Sequence, residues 1–219
     1  MANSLASPQV TGLLSRLSAA AGQDDDHVPA PPPGLSSWSQ ASASERADAL
    51  QDCYIPISAD AGRLLYSLVR SARPDIVVEF GTSFGISTIY LAAAVTDNGA
   101  GQVVGTELSP RKVNAARVNL AEAGVGAAVT ILPGDARQTL AEVPGPIGLV
   151  LLDGWKDLCL PVLRLLEPRL APGGIVAADD ITHASLDEYL GYVRDPANGY
   201  VSVAFPVEDG VEISCWTGR

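Results

Sequence analysis

Five short runs rich in valine and isoleucine, separated by stretches with helical periodicity, constrain the fold of this chain most. They are DIVVEF (75–80), GQVVGTEL (101–108), AAVTIL (127–132), IGLVLL (147–152) and GGIVAAD (173–179). The runs lack the polar alternation of a half-exposed strand, so they predict strands buried on both faces of a parallel sheet. We therefore predict an α/β fold with a doubly wound, Rossmann-like, mostly parallel sheet.

The C-terminal part of the chain departs from this repeat. The segments YVSVAFPV and GVEISCWT flank Glu208, Asp209 and Gly210. Two strand-like runs joined by such a turn predict an antiparallel hairpin. We expect this hairpin to close the sheet.

The N-terminal part differs in composition from the rest. Residues 8–21 predict a short amphipathic helix, and residues 22–34, GQDDDHVPAPPPG with a lone His27, predict a linker or lid. We expect residues 1–43 to form an extension with a proline-rich linker, and residues 44–219 to form the main domain.

Composition excludes several classes of function. The 219 residues are 47% hydrophobic, enough for one domain of ordinary size, and the net charge of −11 argues against nucleic-acid binding. Apolar runs are too short to span a membrane, and the N-terminus lacks the pattern of a secretion signal. The three cysteines lack CxxC spacing and predict core residues. We expect a cytoplasmic protein that acts on a small molecule.

Two strand ends predict a cofactor site. In doubly wound sheets, ligands bind at the carboxyl ends of the strands, where the strand order reverses. The first strand runs into a turn with Gly81, Ser83, Gly85 and Ser87, where bare backbone and a helix N-terminus can meet a ligand. The second strand ends at Glu107, an acidic residue suited to a ribose diol. Together they indicate a cofactor that contains adenosine.

The glycine spacing favours one class of cofactor. Dinucleotide sites use G-x-G-x-x-G because pyrophosphate lies against bare backbone, whereas here Gly81 and Gly85 are four apart, with Ser83 and Phe84 between them. S-adenosylmethionine has no phosphate and tolerates side chains in this turn. The arrangement E-x-G-x-x-x-G, which starts at Glu79, therefore favours a methyl donor over a dinucleotide.

Several motifs, in order and spacing, resemble one family. The segments VVEFGTSFGIS, GTELSP, PGDARQ, LVLLDGWKDLCLPVL and APGGIVAADD resemble the class I S-adenosylmethionine-dependent O-methyltransferases of the catechol and caffeoyl-CoA type, over residues 50–217. The resemblance implies a class I methyltransferase fold. It also implies methyl transfer to a hydroxyl of a small phenolic or catecholic acceptor, assisted by a divalent cation, magnesium first. Many relatives dimerise, so a homodimer is possible.

The resemblance also implies roles for individual residues. Asp153, Asp179 and Asp180 would be metal ligands, and Lys156 would be the catalytic base beside Asp153. The cofactor would lie among Glu79, Gly81, Ser83, Gly85, Ser87, Glu107, Leu108, Asp135, Ala136, Asp153, Trp155 and Ile57. Trp38 and Tyr54 would lie near the mouth of the site.

The residues themselves are consistent with a metal site. The fourth and fifth strands lie side by side, or nearly so, in such a sheet, and both end in aspartates that can converge. Three carboxylates repel one another unless a cation joins them. Oxygen ligands at an open cleft suit a hard ion such as magnesium. The alternative is that Asp153 and Asp179 cap helices and Lys156 is a surface lysine.

The chain departs from the family pattern at several positions. Asp180 stands where the family more often has asparagine, and Gly154 stands where the animal catechol enzymes have a larger residue. The C-terminal hairpin looks shorter and offers no match for the acidic residue that holds a second catechol hydroxyl. Three alternatives therefore stay open: a metal-independent methyltransferase for an amine or another nucleophile, a cofactor-binding protein without catalysis, and, more remotely, a dehydrogenase.

Overall fold

Seven strands form one sheet in the computed structural model, which describes residues 3–23 and 29–218. The strand order is β3-β2-β1-β4-β5-β7-β6; β1 to β5 are parallel, and β7 is antiparallel to both β5 and β6. The strands are β1 (Ile76–Phe80), β2 (Gln102–Glu107), β3 (Val129–Pro133), β4 (Ile147–Leu152), β5 (Leu170–Asp179), β6 (Tyr200–Phe205) and β7 (Val211–Trp216). The predicted doubly wound sheet and C-terminal hairpin are confirmed.

One strand starts earlier than predicted. β5 begins at Leu170, where it pairs with Ile147, rather than at residue 173. The sequence APGG resembles the end of a helix, because proline and glycine are rare inside strands. The register between β4 and β5 shifts beyond Ile147, and this irregularity accommodates both residue types.

Eight α-helices surround the sheet within the described residues. They are α1 (Pro8–Ala21), α2 (Ala43–Ala49), α3 (Ala59–Ala72), α4 (Ile86–Asn98), α5 (Pro110–Glu122), α6 (Ala136–Thr139), α7 (Cys159–Leu166) and α8 (Asp187–Arg194). Ser58 caps α3 and Ser109 caps α5 through their side-chain oxygens, which accept backbone N–H bonds of the first turn.

The helices form two layers. α1, α3, α4 and α5 pack on one face of the sheet, and α6, α7 and α8 pack on the other. α4 is apolar on nearly all sides because it lies between the sheet and the other helices of its layer. Gly62 of α3 lies against the ring of Tyr90 of α4, and any side chain at residue 62 would collide with that ring.

The N-terminal helix is part of the same core. Val10, Leu13 and Leu17 of α1 are buried in one cluster with α4 and the sheet. The division into an extension and a main domain stays a prediction, but the apolar core extends across it. His27 lies outside the described residues. Within the described part of the chain, no helix has the length and apolarity needed to cross a membrane.

The strand order determines where a ligand site can form. From β1 the chain proceeds outward through β2 to β3, then returns to the other side of β1 for β4 and β5. The crossover connections after β1 and β4 therefore diverge, which leaves a crevice at the carboxyl ends of these two strands. Apart from Ile57, which precedes α3, the predicted cofactor and metal residues lie at or after the ends of strands that finish at this edge.

Candidate active site

A cleft of about 660 Å³ opens at the carboxyl ends of the parallel strands. Its floor comes from the strand ends, and its mouth is partly formed by Trp38, Arg46 and Leu50 from the N-terminal segment. The predicted cofactor residues that line this cleft are Gly81, Ser83, Glu107, Leu108, Asp135, Ala136, Asp153 and Trp155. Ile57 and Ser87 line a narrow adjoining pocket that shares Gly81, Ser83 and Asp153 with the cleft.

The turn after β1 has a backbone conformation that brings it close to the end of β4. Gly81 has a φ of +98°, and a Cβ atom there would lie 2.6 Å from the carbonyl oxygen of Asp153. Only glycine fits at this position. Ser83 holds the turn on its other side, because its hydroxyl donates to the carbonyl of Tyr54 at 2.9 Å.

Glu107 is half-buried at the end of β2 and is fixed by two backbone bonds. Its Oε2 accepts from the N–H of Ser83 and its Oε1 from the N–H of Ser109, both at 2.8 Å. A carboxylate oxygen has two lone pairs, so each oxygen can accept one further bond. Glu107 therefore fits two neighbouring hydroxyls, as a ribose would present.

Glu79 and Gly85 are not among the residues that line the cleft. Glu79 is fully buried, and its carboxylate accepts hydroxyl bonds of 2.6–2.8 Å from Thr82, Ser87 and Thr88. Burial raises the pKa of Glu79 to about 7, although the three hydroxyl donors act against this rise. Gly85, with a φ of +87°, is the N-cap of α4. Both residues shape the turn from below rather than border the cleft.

The sequence analysis did not identify Thr82 and Thr88 as part of this site. Both are buried polar residues, as is Ser87 in the same stretch. Because buried hydroxyls require hydrogen-bond partners, their presence next to an acidic strand residue is a usable signal.

Three aspartates converge at the ends of β4 and β5. Asp153, Asp179 and Asp180 each offer a carboxylate oxygen, and these atoms lie within 4.8 Å of one another. Two magnesium ligands on opposite sides of the ion are about 4.2 Å apart, given bonds of about 2.1 Å. The donor type and spacing therefore fit a hard divalent cation after a small adjustment.

Lys156 lies among these carboxylates. Its ammonium is 3.0 Å from Oδ1 of Asp153 and 2.9 Å from Oδ2 of Asp180. Burial opposes the charge on Lys156, but the two aspartates outweigh burial and raise the pKa of this lysine. Lys156 is therefore an ion-pair partner in this structure, and its predicted role as a base requires the release of these contacts.

Burial and mutual repulsion have a large effect on Asp179. Burial, followed by the charges of Asp153 and Asp180, raises the pKa of Asp179 to about 8. Burial also raises the pKa of Asp153. Such shifts are common in functional clusters, where charges are held together at a cost in stability.

Packing explains one departure from the family pattern. A side chain at Gly154 would occupy the space that the ring of Phe80 fills at the end of β1. Glycine at residue 154 thus allows Phe80 to pack beneath the loop that follows β4.

Arg46 of α2 contacts the same loop and was not identified in the sequence analysis. Its guanidinium lies 5.0 Å from the ring centroid of Trp155 and donates to both carboxylate oxygens of Asp157, at 2.7 and 2.9 Å. Trp155 therefore both lines the cleft and packs against α2. These contacts connect residues more than 100 positions apart, so no local pattern indicates them.

If the cleft binds an acceptor as the sequence motifs imply, replacing Arg46 with alanine is expected to raise the KM for that acceptor several-fold, because Trp155 and Asp157 lose the contact that fixes their loop. Arg46→Lys should recover part of the effect, since lysine retains the charge but not the paired geometry. Steady-state kinetics measures both variants. Arg111→Ala is the control, because it removes an Arg–Asp pair that is exposed on both sides. Equal effects of Arg46→Ala and Arg111→Ala would contradict the assignment.

Comparisons with known proteins agree with this geometry. Residues 78–181 match a family described as a methyltransferase domain. The chain is 30% identical over 173 residues to catechol O-methyltransferase B from Danio rerio, covering 73% of this chain and 64% of that protein. It is 32% identical over 142 residues to a catechol O-methyltransferase from Mycobacterium tuberculosis, covering 64% of each. The chain thus spans just under two thirds of these relatives.

Solved structures share the fold. The O-methyltransferase TomG from Streptomyces achromogenes, solved in complex with SAM, superimposes with a TM-score of 0.69 at 23% identity, over 94% of this chain and 99% of that one. An identity this low shows the fold alone. Together with the family match and the catechol O-methyltransferase relatives, it confirms the resemblance found in the sequence motifs. In sequence and in fold, the chain is therefore similar to the class I S-adenosylmethionine-dependent methyltransferases.

Proposed function

We propose that this protein transfers a methyl group from S-adenosylmethionine to a hydroxyl of a small phenolic or catecholic acceptor, assisted by a divalent cation, magnesium first. One observation supports this most: Asp153, Asp180 and Lys156 line the same cleft as Glu107. The residue proposed to bind ribose and a cluster of carboxylates with a lysine therefore border one space. The reaction needs this arrangement, with methyl donor and acceptor side by side.

The methyl donor would lie along the strand ends. Glu107 would accept the two ribose hydroxyls, and Asp135 with Ala136 would border the adenine. The methionine part would reach the turn at Gly81 and Ser83 and the narrow pocket beside it. The absence of a side chain at Gly81 leaves room for the backbone of the end of β4 to close this part of the cleft.

The acceptor would lie between the methyl donor and the carboxylates. Asp153, Asp179 and Asp180 would hold the cation, which lowers the pKa of a hydroxyl that it coordinates and fixes its position. The charge of the cation would then offset the carboxylates that hold the ammonium of Lys156, so this lysine would lose its proton to solvent more readily, and the neutral amine could take the hydroxyl proton. The acceptor oxygen forms a bond to the methyl carbon as the carbon–sulfur bond breaks, and S-adenosylhomocysteine leaves.

The charges of the cleft bear on the class of acceptor. The lining contains five carboxylates, those of Glu107, Asp135, Asp153, Asp157 and Asp180. Its lysine and arginine side chains are Arg46, Lys112 and Lys156, of which Arg46 pairs with Asp157 and Lys156 with Asp153. With the proposed divalent cation bound, this balance would be close to neutral, so the cleft offers no net positive charge to attract a polyanionic acceptor such as a coenzyme A ester. This balance favours a small uncharged acceptor.

A metal-independent methyltransferase that acts on an amine or another nucleophile is the second candidate. The ion pairs of Lys156 with Asp153 and Asp180 favour it, because they already offset part of the repulsion among the carboxylates. In this case the lysine would take the place of the cation. The two candidates differ in their response to a chelator.

The experiment is turnover of a panel of catechols and simple amines with S-adenosylmethionine and magnesium, with and without EDTA. We expect methylation of catechols that EDTA abolishes and excess magnesium restores. Turnover that survives EDTA would favour the second candidate. Tight S-adenosylmethionine binding without turnover of any acceptor would indicate a binding protein instead.

Replacing Glu107 with alanine is expected to weaken S-adenosylmethionine binding by roughly 10- to 100-fold, because the ribose loses charge-assisted acceptors. The melting temperature should also fall, since the N–H groups of Ser83 and Ser109 lose their partner. Glu107→Gln keeps one acceptor oxygen, so its affinity for S-adenosylmethionine should lie between those of the unmodified protein and Glu107→Ala. Titration calorimetry measures the affinity, with exposed Glu188→Ala on α8 as the control. Unchanged affinity in Glu107→Ala would remove this residue from the site.

A further inference from the structure

We propose that His183 binds an uncharged carbonyl group of the acceptor through its Nε2–H, so that the preferred acceptors are phenols or catechols with an acyl substituent on the ring. The proposal rests on the proposed methyl transfer and narrows the class of acceptor for that reaction. His183 was not among the site residues predicted from the sequence.

His183 lies at the rim of the cleft, beside the proposed metal site. It is one of the residues that line the cleft, and it follows Asp180 by three positions. The N–H of His183 donates to the carbonyl of Asp180 at 3.0 Å, which closes a four-residue turn. The Cα atoms at the two ends of such a turn lie within about 7 Å of each other. An acceptor ring held by one oxygen at the carboxylate cluster is therefore long enough to bring a substituent to His183.

The local backbone directs this segment back towards the cleft. Asp180 has a φ of +58°, a left-handed conformation that aspartate adopts more readily than most residues. The short helical turn that follows, Ala184–Leu186, packs against the short helical turn Lys156–Leu158 after β4. His183 therefore borders the same part of the cleft as Lys156.

The imidazole of His183 has one nitrogen occupied and one available. Nδ1 accepts the N–H of Ser185 at 3.2 Å and so caps the turn that begins at Ala184. A neutral imidazole that accepts through one nitrogen carries its proton on the other. Nε2 is therefore a donor, and it has no hydrogen-bond partner among the residues that the structure describes. The cap alone does not require histidine, because serine, aspartate and asparagine are the usual capping residues.

An uncharged carbonyl is the group that matches this donor best. A carbonyl oxygen has two lone pairs and no proton, so it can only accept a hydrogen bond. An alkyl substituent offers no acceptor, and it would leave the N–H of His183 without a partner once it displaces water. A carboxylate gains most from a charged donor, which a neutral imidazole does not provide.

The exposure of His183 limits the size of the effect. The residue is exposed at the rim, where water competes for the donor, so we expect one neutral hydrogen bond to change selectivity by roughly three- to tenfold. An acyl group also makes the phenol more acidic than an alkyl group does. A comparison between variants removes this difference, because each variant receives the same two acceptors.

The first test compares two catechols of similar size, one with an acetyl group and one with an ethyl group on the same ring carbon. The selectivity is the ratio of their kcat/KM values with S-adenosylmethionine and magnesium. His183→Ser keeps a hydroxyl that can cap the turn but removes the imidazole, so selectivity for the acetyl compound should fall roughly three- to tenfold with a nearly unchanged melting temperature. His183→Gln retains an N–H donor on a long side chain and should recover part of the selectivity.

The matched control is Thr182→Ala, at an exposed residue of the same loop that does not line the cleft. It should keep the selectivity of the unmodified protein. Unchanged selectivity in His183→Ser, or equal losses in His183→Ser and Thr182→Ala, would overturn this proposal and leave the proposed methyl transfer intact. If the unmodified protein methylates neither catechol, the proposed function fails and this proposal fails with it.

The second test needs no variant to fold and measures binding rather than turnover. The chain contains two histidines, so the nitrogen NMR spectrum of histidine-labelled protein is simple, and loss of a signal in His183→Gln assigns it. With S-adenosylhomocysteine and magnesium present, the acetyl catechol should shift the Nε2 signal of His183, and the ethyl catechol should shift it much less. No shift at a saturating concentration of the acetyl catechol, or equal shifts with both compounds, would overturn the proposal.

Discussion

Replacing Lys156 with alanine is expected to lower turnover by roughly 10²- to 10⁴-fold, the range for loss of a general base. S-adenosylmethionine affinity should stay unchanged, because Lys156 is proposed to act on the acceptor. The deficit should shrink for acidic phenols such as nitrocatechols, which are already largely ionised at neutral pH. The measurement is the rate deficit against acceptor pKa, at fixed pH and saturating magnesium.

A second substitution separates proton transfer from charge. Lys156→Arg retains a cation that can pair with Asp153 and Asp180, but arginine does not give up its proton in proteins. If Lys156 is the base, the arginine variant should be as slow as the alanine variant. A deficit that stays constant with acceptor pKa would mean that Lys156 positions the acceptor. A negligible deficit for every acceptor would remove Lys156 from the reaction.

Replacing Asp179 with asparagine is expected to stabilise the metal-free protein at pH 8 and above while removing its stabilisation by magnesium. The pKa of Asp179 is raised to about 8 in the folded protein, whereas in the unfolded chain it keeps its ordinary value near 3.8. Between these values the folded state holds a proton that the unfolded state has lost. Stability therefore falls as pH rises from about 4 to about 8 and stays low above that.

Asparagine at residue 179 removes this loss of folding stability at high pH, because its side chain carries no charge that must be buried. Thermal unfolding with EDTA should give a melting temperature for Asp179→Asn above that of the unmodified protein at pH 8.5, and nearly equal to it at pH 4. Magnesium should raise the melting temperature of the unmodified protein only. Asp75→Asn, at an exposed aspartate before the amino end of β1, is the control. If Asp179→Asn melts at a lower temperature than the unmodified protein at pH 8.5, the raised pKa of Asp179 is contradicted. If magnesium still stabilises Asp179→Asn, the role of Asp179 as a metal ligand is contradicted.

Much of the fold follows from local sequence. The valine- and isoleucine-rich runs predict the five parallel strands because a parallel sheet buries both faces of its strands, and such strands need no polar alternation. β4 starts and ends where predicted, and most of the other predicted strand ends lie within two residues of the structure. β5 is the exception, because proline and glycine at its start occupy an irregular register that no local pattern indicates.

Part of the site also follows from sequence alone. Glycine spacing after β1, the acidic end of β2 and the aspartates after β4 and β5 all predict that these residues meet. The inference holds because parallel strands end at the same edge of the sheet, so residues distant in sequence need only share a position along their strands. Asp153, Asp179 and Asp180 meet for this reason.

The surroundings of these residues depended on the tertiary structure. Glu79 follows the same strand-end logic, yet three hydroxyls hold it beneath the cleft. Lys156 was predicted as a base, and the structure places it in ion pairs with two of the proposed ligands. The distance between the ammonium and these carboxylates decides its pKa, and spacing along the chain does not determine that distance.

Contacts between distant segments also could not be predicted from the sequence. The packing of Arg46 on Trp155 and of Phe80 on Gly154 depends on how α2 and β1 lie against the loop after β4. The sequence by itself determined which residues form strands and which acids reach the common edge, because burial and strand direction are properties of local patterns. Only the tertiary structure decided which of these side chains face the cleft, which are buried beneath it and which charges are paired, because these depend on distances between segments far apart in the chain.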